Sequence, residues 1–170
     1  MADGVADRLR GLLGSDVYSS KGRLRADDLL VRDRACRSLS EATARLRSLS
    51  ADYRATQVPP STRENPFPPV EVMMPLRWAE RLGLDIDETA TTIRGLPLLP
   101  EDKVWDRVRH GGLEQLVQFD WWLVCEAEAL AGGLVSASQL SAVDEPAVRA
   151  RLTNLATVVR DRRHYTEVII

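Results

Sequence analysis

The sequence is poor in the residues that enzymes and metalloproteins most often use at their centres. Its 170 residues include only two histidines and two cysteines. None of these stands in a zinc or di-iron spacing such as HExxH, CxxC or a carboxylate-x-x-His pair. The motifs GxSxG, GxxxxGK[ST] and GxGxxG are also missing from the sequence. We therefore expect no metal site and no cofactor, and we lean against catalysis.

Long apolar runs are missing as well. No stretch is long enough to cross a bilayer, and the first residues, MADGVADRLR, contain no apolar signal region. The two cysteines, Cys36 and Cys125, fall inside helical patterns. We expect a cytoplasmic protein in a reducing setting, without a membrane. Basic residues are almost all arginine, beside abundant alanine, leucine and valine, which is typical of a high-GC bacterial genome.

The charge is balanced overall but unevenly distributed. The formal net charge is −2, and residues 58–143 form an acidic middle between two mildly basic ends. Binding to nucleic acid needs clustered lysine and arginine, so this middle part argues against wholesale contact with phosphates. The densest basic cluster, Arg160 to His164, lies near the end of the sequence. It suits either the C-terminal end of a helix or an anionic partner.

Hydrophobic periodicity predicts an all-α fold. Residues 3–13 read as a short amphipathic helix that ends at Gly14. A long second helix, α2, follows from about Ala26 to Tyr53, with a heptad seam that we call the α2 seam. Its members are Ala35, Leu39, Ala42, Leu46, Leu49 and Tyr53. The seam suits either a helix within an intramolecular bundle or an arm for self-association.

A proline-rich connector interrupts the helices. Residues 58–70, VPPSTRENPFPPV, contain five of the nine prolines, and proline cannot donate a helical hydrogen bond. This divides the chain into a helical arm (1–57), a stiff connector (58–70) and a helical core (71–170), with the arm expected to pack on the core as one domain. An aromatic-groove domain that binds polyproline is a further candidate partner for the connector.

The core is predicted to contain five further helices and a closing tail. Three short helices, 75–82, 87–94 and 101–110, are each followed by a glycine, and a central helix over 113–131 is expected to stop at Gly132 and Gly133. A last helix is capped by Asp144. The closing residues HYTEVII suit a short strand, paired beside residues 70–73, or a docked tail.

The central helix is the most informative element, because it has two apolar faces and a carboxylate, Asp120, within the wider one. Trp121 and Trp122 lie on the opposite side, so we expect this helix to be covered all round, on the tryptophan side by another helix of this chain, a second copy or a ligand. Asp120 is interpreted either as a structural group paired with an arginine or as a general acid or base. In the second case an aromatic pocket would form around it from Trp121, Trp122, Trp78 and Trp105.

One stretch resembles the helix-turn-helix of bacterial regulators. Residues 78–93, WAERLGLDIDETATTI, place Ala79, Leu82 and Gly83 at the familiar spacing. The resemblance implies a DNA-binding role for residues 78–94, with Arg94 as the candidate contact to DNA. The sequence departs from the pattern where the second helix would begin, since Asp85, Asp87 and Glu88 would face phosphates there.

Three functional hypotheses remain at this point. The leading one is a non-catalytic helical interaction or regulatory module that binds a protein partner or a second copy. Its expected interaction surface is Leu39, Leu46, Leu49, Tyr53, Trp121 and Trp122. The alternatives are the DNA-binding regulator and a small-molecule-binding protein or enzyme built around Asp120.

Overall fold

The computed structural model describes residues 3–18, 24–63, 66–99 and 112–169. Within these ranges it contains five α-helices and no strand, so the all-α prediction is confirmed. The helices are α1 (Asp3–Leu13), α2 (Leu24–Gln57), α3 (Val70–Arg94), α4 (Leu113–Val135) and α5 (Glu145–Ile169), with a short 3₁₀ turn at Leu140–Ala142.

The N-terminal helix α1 begins and ends where the periodicity predicts. Gly14 follows it with a φ of +63°, a conformation that glycine adopts without a steric penalty. Leu9 on its apolar face is fully buried, and α1 packs mainly against α4. A short helix of this length is unstable alone, so this packing is what holds it in place.

Helix α2 contains the predicted seam and extends beyond both predicted ends. Apart from Tyr53, the seam residues are all buried, and α2 packs against both α3 and α4. The seam therefore belongs to the interior of this chain. The described part of the connector, residues 58–63 and 66–69, is non-helical, and Pro69 (φ −55°, ψ 143°) leads directly into α3.

Helix α3 replaces the first two predicted short helices, so the predicted break at Gly83 is wrong. Leu82 and Ile86 on either side of that glycine are fully buried, and a Cβ placed on Gly83 would lie 3.9 Å from Leu46 Cδ2. Close packing on α2 thus offsets the weak helix propensity of glycine. Pro75 lies inside the helix rather than at its start. The third predicted helix, 101–110, lies outside the described residues.

The predicted stop of α4 at Gly132 and Gly133 is also wrong. The helix continues to Val135 because Leu134, one turn after Leu130, is fully buried and extends the apolar stripe. The cap of α5 is found as predicted, since the Ala147 amide donates to Asp144 Oδ1 at 3.0 Å.

The predicted C-terminal strand is wrong, because α5 runs through residues 164–169 and residues 70–73 are helical in α3. Thr166, on the inner side of α5, is almost fully buried, at 1% exposure. Packing of this last turn against the bundle outweighs the β-propensity of the closing residues.

Side-chain contacts define the directions of the four long helices. Cys36 Sγ lies 3.5 Å from the Ala90 carbonyl and Thr43 Oγ1 lies 3.0 Å from Asp87, so residue numbers rise along α2 as they fall along α3. These two helices are therefore antiparallel. Helices α4 and α5 form a second antiparallel pair through Arg151–Glu126 (3.3 Å) and Arg162–Asp120 (2.6 Å).

The two helix pairs stack side by side as a four-helix bundle. Helices α2 and α4 run parallel, because Arg34 contacts Glu128 and Arg45, further along α2, contacts the carbonyl of Ala137 beyond α4. Helix α3 packs on α5, so α2 and α5 face each other across the diagonal. The start of α2, the end of α3, the start of α4 and the end of α5 meet at one end of the bundle.

Candidate functional site: a buried charge cluster

The bundle end described above contains an unusual group of buried charges. Asp28, Arg32, Asp120 and Arg162 are at most 3% exposed. Each lies where an apolar residue would normally fill the bundle core. On α2, Arg32 and Asp28 continue the α2 seam backward from Ala35 in steps of three and four residues.

Arg162 connects opposite corners of the bundle. Its Nε donates to Asp120 Oδ1 on α4 at 2.6 Å, and its Nη2 donates to Asp28 Oδ1 on α2. Because α2 lies diagonally across from α5, the guanidinium spans the core and joins three helices. Among the described residues, its Nη1 has no hydrogen-bond partner.

Arg32 extends the cluster to the end of α3. Its Nε and Nη2 donate to the two oxygens of Asp28 at 3.1 and 2.6 Å, which forms a bidentate pair. The same guanidinium donates to the carbonyls of Leu96 and Pro97 just beyond α3. Arg32 therefore satisfies two carbonyls of the segment that follows α3 and fixes the chain as it leaves that helix.

Tyr18 ties the segment after α1 to the same cluster. Its backbone amide donates to Asp27 Oδ2 at 2.7 Å and its hydroxyl donates to Asp120 Oδ2 at 2.5 Å. Tyr18 has a φ of 59°, the only positive φ of a non-glycine residue in the described chain. Such a backbone is costly for a bulky residue and persists where surrounding contacts enforce it.

The charges of the four central residues cancel, with two carboxylates against two guanidinium groups. Burial raises the pKa of Asp120, and the adjacent Arg162 opposes this shift. Burial and the nearby Asp120 raise the pKa of Tyr18 well above 10, so the phenol keeps its proton. Burial favours the neutral form of Arg162, yet Asp120 and Asp28 outweigh it and raise its pKa.

In this geometry Asp120 has the structural role that the sequence analysis considered, as a carboxylate paired with an arginine. One of its oxygens accepts from Arg162 and the other from Tyr18, while the side chain is fully buried. A general acid or base must reach a substrate directly or through water. In contrast, the carboxyl of Asp120 faces partners from its own chain. The cluster as a whole connects α2, α4, α5 and the segments that follow α1 and α3.

The structure separates the residues predicted to form an interaction surface. Leu39, Leu46 and Leu49 are at most 2% exposed and pack inside the chain, whereas Tyr53 is half-buried. These leucines stabilise the bundle and do not lie at its surface.

The two tryptophans on α4 differ from each other. Trp121 is half-buried against the core, and Trp122 is 43% exposed, with its ring edge-to-face with Phe119 at 6.0 Å between centroids. Among the described residues, α1 and the bundle cover Trp122 only in part, so its expected cover by a second copy or a ligand stays a prediction.

The helix-turn-helix prediction is wrong in its geometry. Residues 78–93 lie within one continuous helix, so there is no turn and no separate recognition helix. Arg94 is exposed in the last turn of α3. Asp85 pairs with Arg81 and Arg149 and Asp87 pairs with Arg47, so these acids link helices of the bundle.

A groove with a volume of about 480 Å³ lies between α2 and α3. Leu46, Ala51, Leu76, Ala79 and Gly83 form its apolar floor, and charged residues form its rim. It lies away from the charge cluster. An aromatic pocket involving Trp105 cannot be placed, since that residue lies outside the described residues, as does His110.

Within the described ranges, no three histidine, cysteine or acidic side chains are grouped so that they could hold a metal ion. Neither is any described helix sufficiently long and apolar to cross a membrane. Both cysteines are free, and burial raises the pKa of Cys36 and of Cys125, which keeps them as neutral thiols. Comparison of the chain with protein-family models, curated proteins and solved structures finds no match.

Sequence reasoning found Asp120 but missed its partners Tyr18 and Arg162, as well as Asp28 and Arg32, the other two members of the cluster. A signal for Arg162 exists, because Val148, Leu152, Leu155 and Val159 step by four, three and four residues, and the next step of three reaches Arg162. Within the basic cluster at 160–164, Arg162 is fully buried while Arg160, Arg163 and His164 are exposed. Tyr18 lies in a turn and has no periodic signal.

Proposed function

We propose that this chain is a non-catalytic helical interaction module, located in the cytoplasm, that associates with a second copy of itself through the outer side of α3. The observation that carries the proposal is the distribution of large apolar side chains at the surface. In the described part of the chain, four of the nine that are exposed lie between residues 67 and 84. These are Phe67 (85% exposed), Val70 (58%), Met74 (55%) and Leu84 (60%).

Contiguous exposed apolar residues on a folded domain mark contact sites for other proteins. Val70, Met74 and Leu84 lie within about 80° of one another around α3, at 100° per residue. Phe67 precedes them in the stiff connector, where Pro66, Pro68 and Pro69 restrict the backbone. A pre-ordered apolar surface binds at a lower entropic cost than a flexible one.

The state of Asp120 supports a binding role over catalysis. Both of its oxygens accept hydrogen bonds from inside the chain, so the one candidate acid or base is already engaged. The free thiols at Cys36 and Cys125 suit a reducing compartment.

Light scattering coupled to size-exclusion chromatography tests the proposal. We expect the mass to rise from 19.0 kDa toward twice that value as the protein concentration increases through the micromolar range and above. Leu84→Asp places a charge in the proposed contact and should keep the chain at 19.0 kDa. Val135→Asp is the matched control, because Val135 is similarly exposed (56%) but lies on α4.

Two outcomes would refute the proposal. The first is a wild-type mass of 19.0 kDa at every concentration. The second is a dimer that Val135→Asp disrupts and Leu84→Asp leaves intact, since this would place the contact on another surface.

A further inference from the structure

Resting on the proposed self-association, we infer the geometry of the dimer: helix α3 packs antiparallel to α3 of the second copy about a two-fold axis between Trp78 and Ala79. In this register Arg77 faces Glu80 of the second copy, and Met74 faces Leu84 of the second copy. By symmetry each of these contacts forms twice.

The charges on the outer side of α3 favour this arrangement. Arg77 and Glu80 are both exposed, and in the described part of the chain neither has an ion-pair or hydrogen-bond partner. In contrast, the neighbouring Arg81 pairs with Asp85 at 3.3 Å. Between Met74 and Leu84 the surface therefore carries one uncompensated positive and one uncompensated negative charge, three residues apart.

A self-complementary surface follows from that spacing. In an antiparallel pair of helices, a residue before the two-fold axis lies opposite a residue equally far beyond it. An axis midway between Arg77 and Glu80 therefore brings the positive charge of each copy against the negative charge of the other. A parallel pairing would set like charges opposite each other, which disfavours association.

The exposed apolar residues Met74 and Leu84 lie at equal distances from the same axis, to within one residue. Met74 lies four to five residues before it and Leu84 lies five to six residues after it. Both side chains are more than half exposed in the single chain. At a rise of about 1.5 Å per residue, the contact from Met74 to Leu84 spans about 15 Å of helix. This is a small interface, so we expect a weak dimer with the connector residue Phe67 at its edge.

Charge reversal tests the register. Arg77→Glu leaves two acids and Glu80→Arg leaves two arginines on each copy, so either variant alone sets like charges opposite each other. We expect the dissociation constant of the dimer, measured by sedimentation equilibrium at low salt, to rise about tenfold or more for each variant. Glu41→Arg, an exposed reversal on α2 with the same charge change as Glu80→Arg, should leave the constant unchanged.

Mixing the two variants gives the sharper result. An Arg77→Glu chain and a Glu80→Arg chain present complementary charges at both contacts, so an equimolar mixture should form a heterodimer with wild-type affinity. A chain that carries both reversals should form a wild-type-like homodimer. Because the changes are at exposed positions, circular dichroism should show unchanged helix content in all variants.

The outcomes separate this inference from the proposal on which it rests. If the wild type dimerises and Leu84→Asp disrupts the dimer, but the charge reversals have no effect or the mixture does not recover, the register is wrong while self-association through α3 stands. A wild-type chain that stays monomeric at every concentration overturns both.

Discussion

Replacing Arg162 with methionine tests the central structural argument, because methionine has a similar length and no charge. The substitution leaves Asp120 without its Nε donor at 2.6 Å and Asp28 without its link across the bundle. Breaking a buried ion pair by removing one partner typically costs about 3–5 kcal/mol. The free energy of unfolding of a domain of this size is of the order of 10 kcal/mol, so the expected loss is a large part of it.

Urea unfolding followed by circular dichroism at 222 nm measures this loss directly. In thermal unfolding, the same loss corresponds to a fall in the melting temperature of roughly 6–20 °C. The matched control is Arg163→Met, which removes an arginine that is 63% exposed and paired with Glu167 at 2.9 Å. Surface pairs contribute little, so this variant should lose less than about 1 kcal/mol.

A double variant separates the lost ion pair from the lost packing. Arg162→Met with Asp120→Leu also removes the carboxylate that the single variant leaves without an ion-pair partner, since Asp28 still pairs with Arg32. The loss of unfolding free energy in the double variant should therefore be smaller than the sum of the losses in the two single variants. If Arg162→Met and Arg163→Met lose the same small amount of stability, the buried cluster does not hold the bundle end together and the reasoning is refuted.

Three further predictions concern single residues. Tyr18→Phe removes the hydrogen bond to Asp120 and should cost about 1–3 kcal/mol of stability. Folding raises the pKa of Tyr18 well above 10, so the stability that its protonated hydroxyl contributes is present below pH 10 and is lost as the pH rises further. Urea midpoints should therefore fall more steeply above pH 10 in the wild type than in the variant. Asp144→Ala removes the cap of α5 and should cost about 1 kcal/mol in the same assay; no loss would contradict the capping role. Gly83→Ala should stabilise the chain by up to about 1 kcal/mol, since the new Cβ lies at an ordinary contact distance from its nearest neighbour. Gly14→Ala should destabilise the chain, because Gly14 has a positive φ. Equal effects of the two substitutions would show that backbone conformation does not distinguish these glycines.

Local signals in the sequence predicted the elements whose ends depend on local chemistry. The first helix ends at Gly14, where the backbone needs a positive φ, and the last begins after the side-chain cap of Asp144. The breaks expected at Gly83 and Gly132 were wrong for the opposite reason. At those positions the burial of Leu82, Ile86 and Leu134 keeps the chain helical. This tertiary packing cannot be predicted from the presence of a glycine in one sequence.

The charge cluster was only partly predictable. Asp120 is recognisable because it interrupts an apolar face, and Arg162 falls on the extended periodicity of α5. Their pairing depends on how α4 and α5 align, which the periodicity of each helix alone does not fix. The contact of Arg162 with Asp28 depends further on which helices lie across the diagonal, and this is a property of the whole bundle.

The cluster also fixes how the helices slide along one another. A bundle with heptad seams can pack almost as well when one helix shifts by seven residues, because leucine, valine and alanine recur along each seam. Such a shift of α5 would move Arg162 by about 10.5 Å along the bundle. It would leave Arg162 and Asp120 buried without their ion-pair partners and Asp28 with Arg32 alone, at a cost of several kcal/mol. The buried charges thus select one alignment among several that apolar packing alone would permit, and that alignment sets Asp85 of α3 beside Arg149 of α5.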